Sequence, residues 1–599
     1  MTMDDTPGGA ESPPSGASEG GDLPVLAANL ARIEALSGRL VAALSKKRPI
    51  RPSLQGPGPE LWMRTMGAWI GGAMADPARL MQEQLTYWSD LLRHVAESAA
   101  EEPDAGAEEI WQKNPYFHMV RAQFLAARDA TERALAELDG LDEKDRERVA
   151  FFARQMVELM RPRNFLATNP EALARAIETE GQSLVDGLEN MVRDLEAHGG
   201  ELIPTLADPE AFVVGGNLAT TPGAVVFRNR MMEIIQYAPR TDKVHATPLI
   251  LFPPWINKFY ILDLKEKNSL VRWIVEQGFT LFVVSWVNPD ARYADVGIDT
   301  YIEEGFLTAI AQVKALCGVR KVNVAGYCIG GTTLALTLAL LARRGDDSVK
   351  SATFFTTLTD FADPGEVGVF LSDDFVDGIE AECNEVGYLD KLFMARTFSF
   401  LRARDLVYAP AVRTYMLGEA PPAFDLLFWN GDGTNLPGRM AVEYLRALCQ
   451  RNEFATEGFE ILGEKIRVSD ISLPLFSVAC ESDHIAPWKS VYQGVREMGA
   501  GDKTFVLSES GHVAGIVNPP AKRKYGHYTC SDWPCSADEW RAAAVAHAGS
   551  WWPRWGAWLA ARSGRMRPAR EPGCGDAARV LGPAPGTYVT AAPGEMPEK

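Results

Sequence analysis

"KVNVAGYCIGGTTLALTLALLA", residues 321–342, runs from a β-branched apolar stretch through Gly-Tyr-Cys-Ile-Gly into a long aliphatic segment. A strand, a tight turn and a helix in that order place Cys328 at the turn, with glycines two residues before and two residues after it. Those glycines have a reason. A residue held in a strained turn between a strand and a helix needs neighbours without side chains, so that the two elements can approach. The backbone N–H of Ile329, at the start of the helix, then points to where an oxyanion would develop. The alternative is a small buried cysteine that happens to have glycine neighbours.

Working outward, short apolar runs recur: "TPLILF" at 247, "FTLFVVSW" at 279, "SATFFTT" at 351, "LPLFSVAC" at 473 and "KTFVLS" at 503. Helical segments separate most of them, which predicts a parallel sheet covered on both faces. Between Asp360 and about Cys449 the alternation gives way to an aromatic, irregular insertion long enough to be a cap or lid.

Two further residues join Cys328. Asp483 follows "LPLFSVAC" directly, in "DHIAPW", and His512 follows "KTFVLS", in "SESGHVAGI". Nucleophile, acid and histidine in that chain order, each just past a strand end, is the pattern of an α/β-hydrolase fold. A turn or helix cap is the competing role for Asp483, and a surface loop position the competing role for His512.

The remaining sequence sets limits. Upstream of the sheet, residues 23–200 repeat apolar positions at three and four, as in "LAANLARIEALSGRLVAAL" and "RERVAFFARQMVELM", and predict a helical N-terminal domain that docks on the rest of the chain or on a partner. Residues 1–22 form an acidic tail expected to be disordered. The catalytic domain spans 201–562 with its cap at about 360–449, and 563–599, rich in glycine and proline, is expected to be a loose C-terminal tail.

The first residues lack the basic start and apolar run of a secretory signal, and the longest apolar stretch, "LALTLALLA" after Thr333, is far short of the ~20 residues that cross a bilayer. A cytoplasmic protein with no transmembrane segment is expected. Eight cysteines then read as free thiols. Cys530, Cys535 and His527 lack a second Cys/His pair, so no metal is expected. The formal charge of -19 argues against nucleic acid as a partner and requires a local basic group for any anionic substrate.

Eight stretches carry a family resemblance across nearly the whole chain: "NFLATNPEA" from Asn164, "PPWINKFYILDL" from Pro253, "SWVNPD" from Ser285, "GYCIGG", "WNGDGTNLP" from Trp429, "DHIAPW", "GHVAGIVNPPAK" from Gly511 and "GSWWPRWGAWLA" from Gly549. In these the chain resembles the class I polyhydroxyalkanoate synthases. The resemblance implies that Cys328, Asp483 and His512 are catalytic, and that the substrate is an (R)-3-hydroxyacyl-coenzyme A of three to five carbons, most simply (R)-3-hydroxybutanoyl-coenzyme A. The acyl group would pass through a cysteine thioester into a growing polyester chain. It implies no cofactor, since coenzyme A enters with the substrate and leaves as product. It also implies a homodimer in the cytoplasm at the surface of polyester granules, with granule-associated proteins as possible partners.

In the loop after "TPLILF", the backbone N–H of Ile256 is the expected second oxyanion donor, and Arg402 in "FLRARDLVY" is the expected contact for coenzyme A phosphates, a surface ion pair being its alternative. Trp551, Trp552, Trp555 and Trp558, spaced by three and four, favour a packed helix face over a polymer-binding one. Competing functions are a thioesterase or an intracellular polyester depolymerase on the same scaffold, and an inactive granule-associated protein.

Overall fold

Buried apolar runs must pair their backbone N–H and C=O groups with one another, and in the computed structural model they do so in one eleven-stranded sheet. The structure describes residues 23–47, 59–75, 77–96, 111, 114–138 and 140–595; the expected 1–22 tail lies outside them. At the centre, strands Lys503–Ser508, Leu475–Cys480, Val349–Phe355, Val322–Tyr327, Leu249–Phe252 and Leu281–Trp286 lie side by side and parallel. These are the six apolar runs read from the sequence. Val322–Tyr327 is buried at every residue and feeds helix Ile329–Arg343, which is itself buried along nearly its whole length. The Cys328 turn therefore sits between a fully buried strand and a largely buried helix.

Antiparallel strands extend both edges. Gly223–Arg228 and Met232–Tyr237 lie on one side, His527–Thr529 and Val545–His547 on the other. Helix Trp552–Arg562 packs across the sheet with Trp551, Trp552 and Trp555 almost fully buried, and their indole N–H groups donate to the Gly515 carbonyl, the Ile516 carbonyl and Thr353 Oγ1. The tryptophan cluster is core.

Between Asp360 and Cys449 the chain is mostly helical rather than irregular. It contains helices Asp373–Val386, Lys391–Leu401 and Gly438–Glu443, with wide π turns at Arg404–Tyr408, Val412–Met416 and Tyr444–Gln450. The N-terminal helices dock on this cap. Buried Arg148 pairs with Asp374 at 2.9 Å, Phe151 lies edge-on to Phe370, and the fully buried Asp194 accepts hydrogen bonds from Thr205 and from the Tyr415 hydroxyl at 2.8 Å. In "NFLATNPEA", Asn164 donates to the last carbonyls of one helix, while Asn169 caps the first turn of the next with Pro170 behind it.

The C-terminal segment corrects the expectation of a loose tail. Strand Gly582–Pro583 pairs with Gly223–Arg228, and Tyr588 and Val589 are buried. The reason is a charge. Glu233, fully buried, accepts from Arg228, from the Thr587 N–H and hydroxyl at 2.9 Å, and from the Tyr588 N–H at 3.0 Å. A buried carboxylate must be matched by donors, and the terminal segment supplies three of them. Deleting residues from Leu581 onward should lower the unfolding free energy by about 5 kcal/mol, since charge-assisted hydrogen bonds contribute roughly 1.5–3 kcal/mol each. Urea titration reads this directly; an unchanged midpoint would make the segment dispensable.

Among the described residues, no helix is long and apolar enough to cross a membrane.

Candidate active site

Cys328 has φ 51° and ψ −126°, a conformation that side-chain-bearing residues rarely adopt. Its N–H donates to the Phe355 carbonyl at 2.8 Å, and its own carbonyl accepts from Gly331 and Thr332, so the turn is pinned from both directions. A Cβ on Gly326 would lie 2.5 Å from the Gly331 Cα, and one on Gly330 would lie 2.7 Å from the Phe252 carbonyl oxygen. Both glycines are required by backbone contact. Strand, turn and the loop after Phe252 would otherwise collide.

The loops after two neighbouring strands bring Asp483 and His512 together, with His512 Nδ1 2.6 Å from Asp483 Oδ2. The other carboxylate oxygen, Oδ1, accepts from the Ile485 and Ala486 N–H groups at 2.8 and 2.9 Å. Asp483 thus caps its turn with one oxygen and holds the imidazole with the other, so the two roles open in the sequence coexist. The Cys328 side chain acts on the same ring through its charge. Burial opposes a charged imidazole here, but the Asp483 carboxylate and then Cys328 outweigh it and hold the His512 pKa well above its ordinary value.

Sequence reading gave Tyr327 no task beyond being aromatic. Its hydroxyl donates to the His512 carbonyl at 3.0 Å and its ring stacks on the imidazole with centroids 5.6 Å apart, so the residue before Cys328 positions the histidine. No local signal shows this, because the contact spans 185 residues.

Ile329 opens its helix, and its N–H has no protein acceptor among the described residues. The same holds for the Ile256 N–H. The loop carrying Ile256 crosses the start of that helix: the Trp255 indole donates to Thr333 Oγ1 at 3.1 Å. It is stitched from the other side by the "WNGDGTNLP" stretch. Thr434 donates to the Trp255 and Ile256 carbonyls, the Trp429 indole donates to the Lys258 carbonyl, and Asp432 meets both the Tyr260 hydroxyl and Lys258 Nζ. Asn288 of "SWVNPD" accepts from the Asn435 N–H, so three motifs distant in sequence form one support for the loop that crosses the start of the Cys328 helix. Lys258, 7% exposed, also donates to the Val589 carbonyl at 2.6 Å, which ties the C-terminal segment to this support.

Arg402 ends the cap helix Lys391–Leu401 and is exposed, without an ion-pair partner among the described residues. Its charge reaches His484, whose pKa is pushed down to about 4 by burial first and by Arg402 second. The guanidinium is therefore an unpaired cation close to the Asp483 loop.

A thiol whose charge acts on an imidazole, a carboxylate fixing that imidazole and an N–H without a protein acceptor on the residue after the thiol are groups of the kind that acyl transfer uses.

The sequence matches the family model described as the poly-beta-hydroxybutyrate polymerase (PhaC) N-terminus over residues 106–274, and that of the alpha/beta hydrolase fold over 249–519. It is 40% identical over 575 residues to the poly(3-hydroxyalkanoate) polymerase of Methylorubrum extorquens, covering 92% of this chain and 94% of that one. The poly(3-hydroxyalkanoate) polymerase subunit PhaC of Cupriavidus necator is 43% identical over 540 residues, 87% and 90% of the two chains. That of Rhizobium meliloti is 38% identical over 530 residues, 88% and 83%.

Proposed function

This chain belongs to the poly(3-hydroxyalkanoate) polymerase family, and from that premise we propose how its site builds polyester. It is an acyltransferase that polymerises hydroxyalkanoate units. On our reading each unit arrives as an (R)-3-hydroxyacyl-coenzyme A, and the observation that carries the mechanism is the Asp483-held His512 beside Cys328 in its strained turn.

Cys328 attacks the substrate thioester as its thiolate while His512 holds the proton. The intermediate's oxyanion is met by the N–H groups of Ile329 and Ile256. As the intermediate collapses, His512 gives its proton to the departing coenzyme A sulfur. One thioester has replaced another at little cost in free energy, and the thiolate charge that helped to raise the His512 pKa is gone. The neutral ring, fixed by Asp483, then takes the proton of the next 3-hydroxyl group. That oxygen attacks the acyl-cysteine, the ester forms, and Cys328 leaves as thiolate beside an imidazolium, which restores the starting state.

The chain's own side chains suffice for this cycle, with coenzyme A entering as part of the substrate. The cap shields the acyl-cysteine from water, without which the enzyme would act as a thioesterase. The product stays attached and is insoluble, which keeps the enzyme at the surface of a cytoplasmic granule. A homodimer, and contacts to granule-associated proteins, would use N-terminal helices whose Met63, Met66, Trp69, Trp88 and Leu92 are exposed.

Unpaired Arg402 is assigned to a coenzyme A phosphate. Arg402→Ala should raise the apparent KM for acyl-coenzyme A about five-fold with little change in kcat, the loss expected of one exposed charge contact of ~1 kcal/mol. An unchanged KM would remove it from the site.

The function itself is tested by incubating the protein with (R)-3-hydroxybutanoyl-coenzyme A, following thiol release and identifying the acyl product. Polymer supports the reading. Free acid alone would make the protein a hydrolase, and no release at all would make it an inactive granule component.

A further inference from the structure

Cys317 and Cys574, 257 residues apart in sequence, lie with their sulfurs 3.5 Å apart, remote from any step proposed above. Cys317 ends helix Thr308–Cys317 and is 7% exposed, whereas Cys574 is half-buried in the turn Pro572–Gly575. We propose that this pair is a redox-active dithiol site: Cys574 captures a low-molecular-weight disulfide, and Cys317 resolves the adduct into an intramolecular disulfide.

Three features build the site. The turn is held in an unfavourable shape, with Gly573, Cys574 and Gly575 all at positive φ (77°, 53° and 90°). A dedicated buried side chain keeps it so: Gln236, fully buried in its strand, accepts from the Gly573 N–H at 3.0 Å and donates to the Arg570 and Glu571 carbonyls. A buried cation stands beside the sulfurs. Arg570 is 5% exposed; its Nη atoms donate to Ala246 O and Thr280 Oγ1, but its Nε has no partner among the described residues.

The electrostatics separate the two thiols. The hydrogen bond from Cys317, opposed by burial and aided by Arg570, brings the Cys574 pKa down to about 7, while that same bond and burial push Cys317 up. Cys574 is also the more accessible of the two sulfurs, as an attacking thiol requires.

In the first step the Cys574 thiolate attacks one sulfur of the small disulfide, forming a mixed disulfide and expelling the other half as thiolate. In the second, Cys317 loses its proton to solvent and attacks the Cys574 sulfur, expelling the remaining half. Two protein thiols and one disulfide become one protein disulfide and two small thiols. The sulfurs close from 3.5 Å to about 2.05 Å. The bond would staple the C-terminal segment to the helix that leads into the nucleophile strand.

The test uses the full chain, reduced, desalted and exposed to oxidised glutathione, then alkylated, digested without reduction and analysed by mass spectrometry. The expected result is a Cys317–Cys574 cross-linked peptide, lighter by two hydrogens than the separate thiol peptides, as the main cross-link, and its loss when the exposure is made in urea. Cys317→Ala should stop at the first step with glutathione retained on Cys574, and Cys574→Ser should leave Cys317 unmodified. Absence of the cross-link from the wild-type chain under conditions that modify exposed Cys535 would overturn the proposal, as would glutathione persisting on Cys574 with Cys317 intact.

Discussion

Cys328→Ala should abolish coenzyme A release from (R)-3-hydroxybutanoyl-coenzyme A, a fall of at least about 10⁴-fold, by analogy with loss of the nucleophile in other catalytic triads. The neighbouring thiols are poor substitutes: Cys449, which shares Tyr444 as a neighbour with Cys328, is buried and its pKa is pushed up to about 12 by that burial. Cys480, at the end of an adjacent strand, is fully buried, and burial holds its thiol well above the ordinary range. The fold should survive, because alanine at φ 51° is no more strained than cysteine and the thiol is not a core hydrogen-bond donor. The measurement is paired: thiol release by absorbance, and intact mass after substrate addition, where the wild type gains acyl units and the variant gains none. Turnover by the variant, or acylation elsewhere on it, would end the role given to Cys328.

Asp483→Asn should cost about 10³-fold in kcat while leaving the loop folded, and the two carboxylate oxygens explain why. An asparagine oxygen can still accept from the Ile485 and Ala486 N–H groups. Its amide, however, presents N–H to a histidine nitrogen that needs an acceptor, which disfavours the productive tautomer; in serine triads the matching change costs about 10⁴-fold. The carboxylate charge is also what most strongly offsets burial at His512, so without it the imidazole should titrate at lower pH than in the wild type, readable by NMR. Asp483→Ala should show the same kinetic loss and, in addition, about 1 kcal/mol of lost stability from the missing turn cap. Equal kinetics for Asp483→Asn and the wild type would reduce Asp483 to a cap.

The central sheet was legible because fully buried parallel strands must be apolar along their whole length, and Val322–Tyr327 or Leu475–Cys480 announce themselves by composition alone. The edges were not. His527–Thr529, Val545–His547 and Gly582–Pro583 are two or three residues long and owe their extended form to the strand beside them. The cap read as irregular because π turns at Arg404–Tyr408 and Tyr444–Gln450 break the helical period.

At the candidate site, the positions of Cys328, Asp483 and His512 past strand ends, and the meeting of Asp483 with His512, were legible from strand order. The double duty of Asp483 and the hold of Tyr327 on His512 are set by contacts that no local pattern encodes. The largest misreading, at residues 563–599, came from taking glycine and proline as signs of disorder. Composition carries no record of a carboxylate waiting 354 residues upstream of Thr587.

That carboxylate bears on how the enzyme is made. During synthesis Glu233 and Lys258 emerge long before Thr587, Tyr588 and Val589, their partners in the finished sheet and in the loop after Phe252. Before those residues are made, Glu233 lacks three of its donors and Lys258 one of its acceptors. Closure of this sheet edge and of the loop carrying Lys258 is therefore expected to wait for residues 587–589.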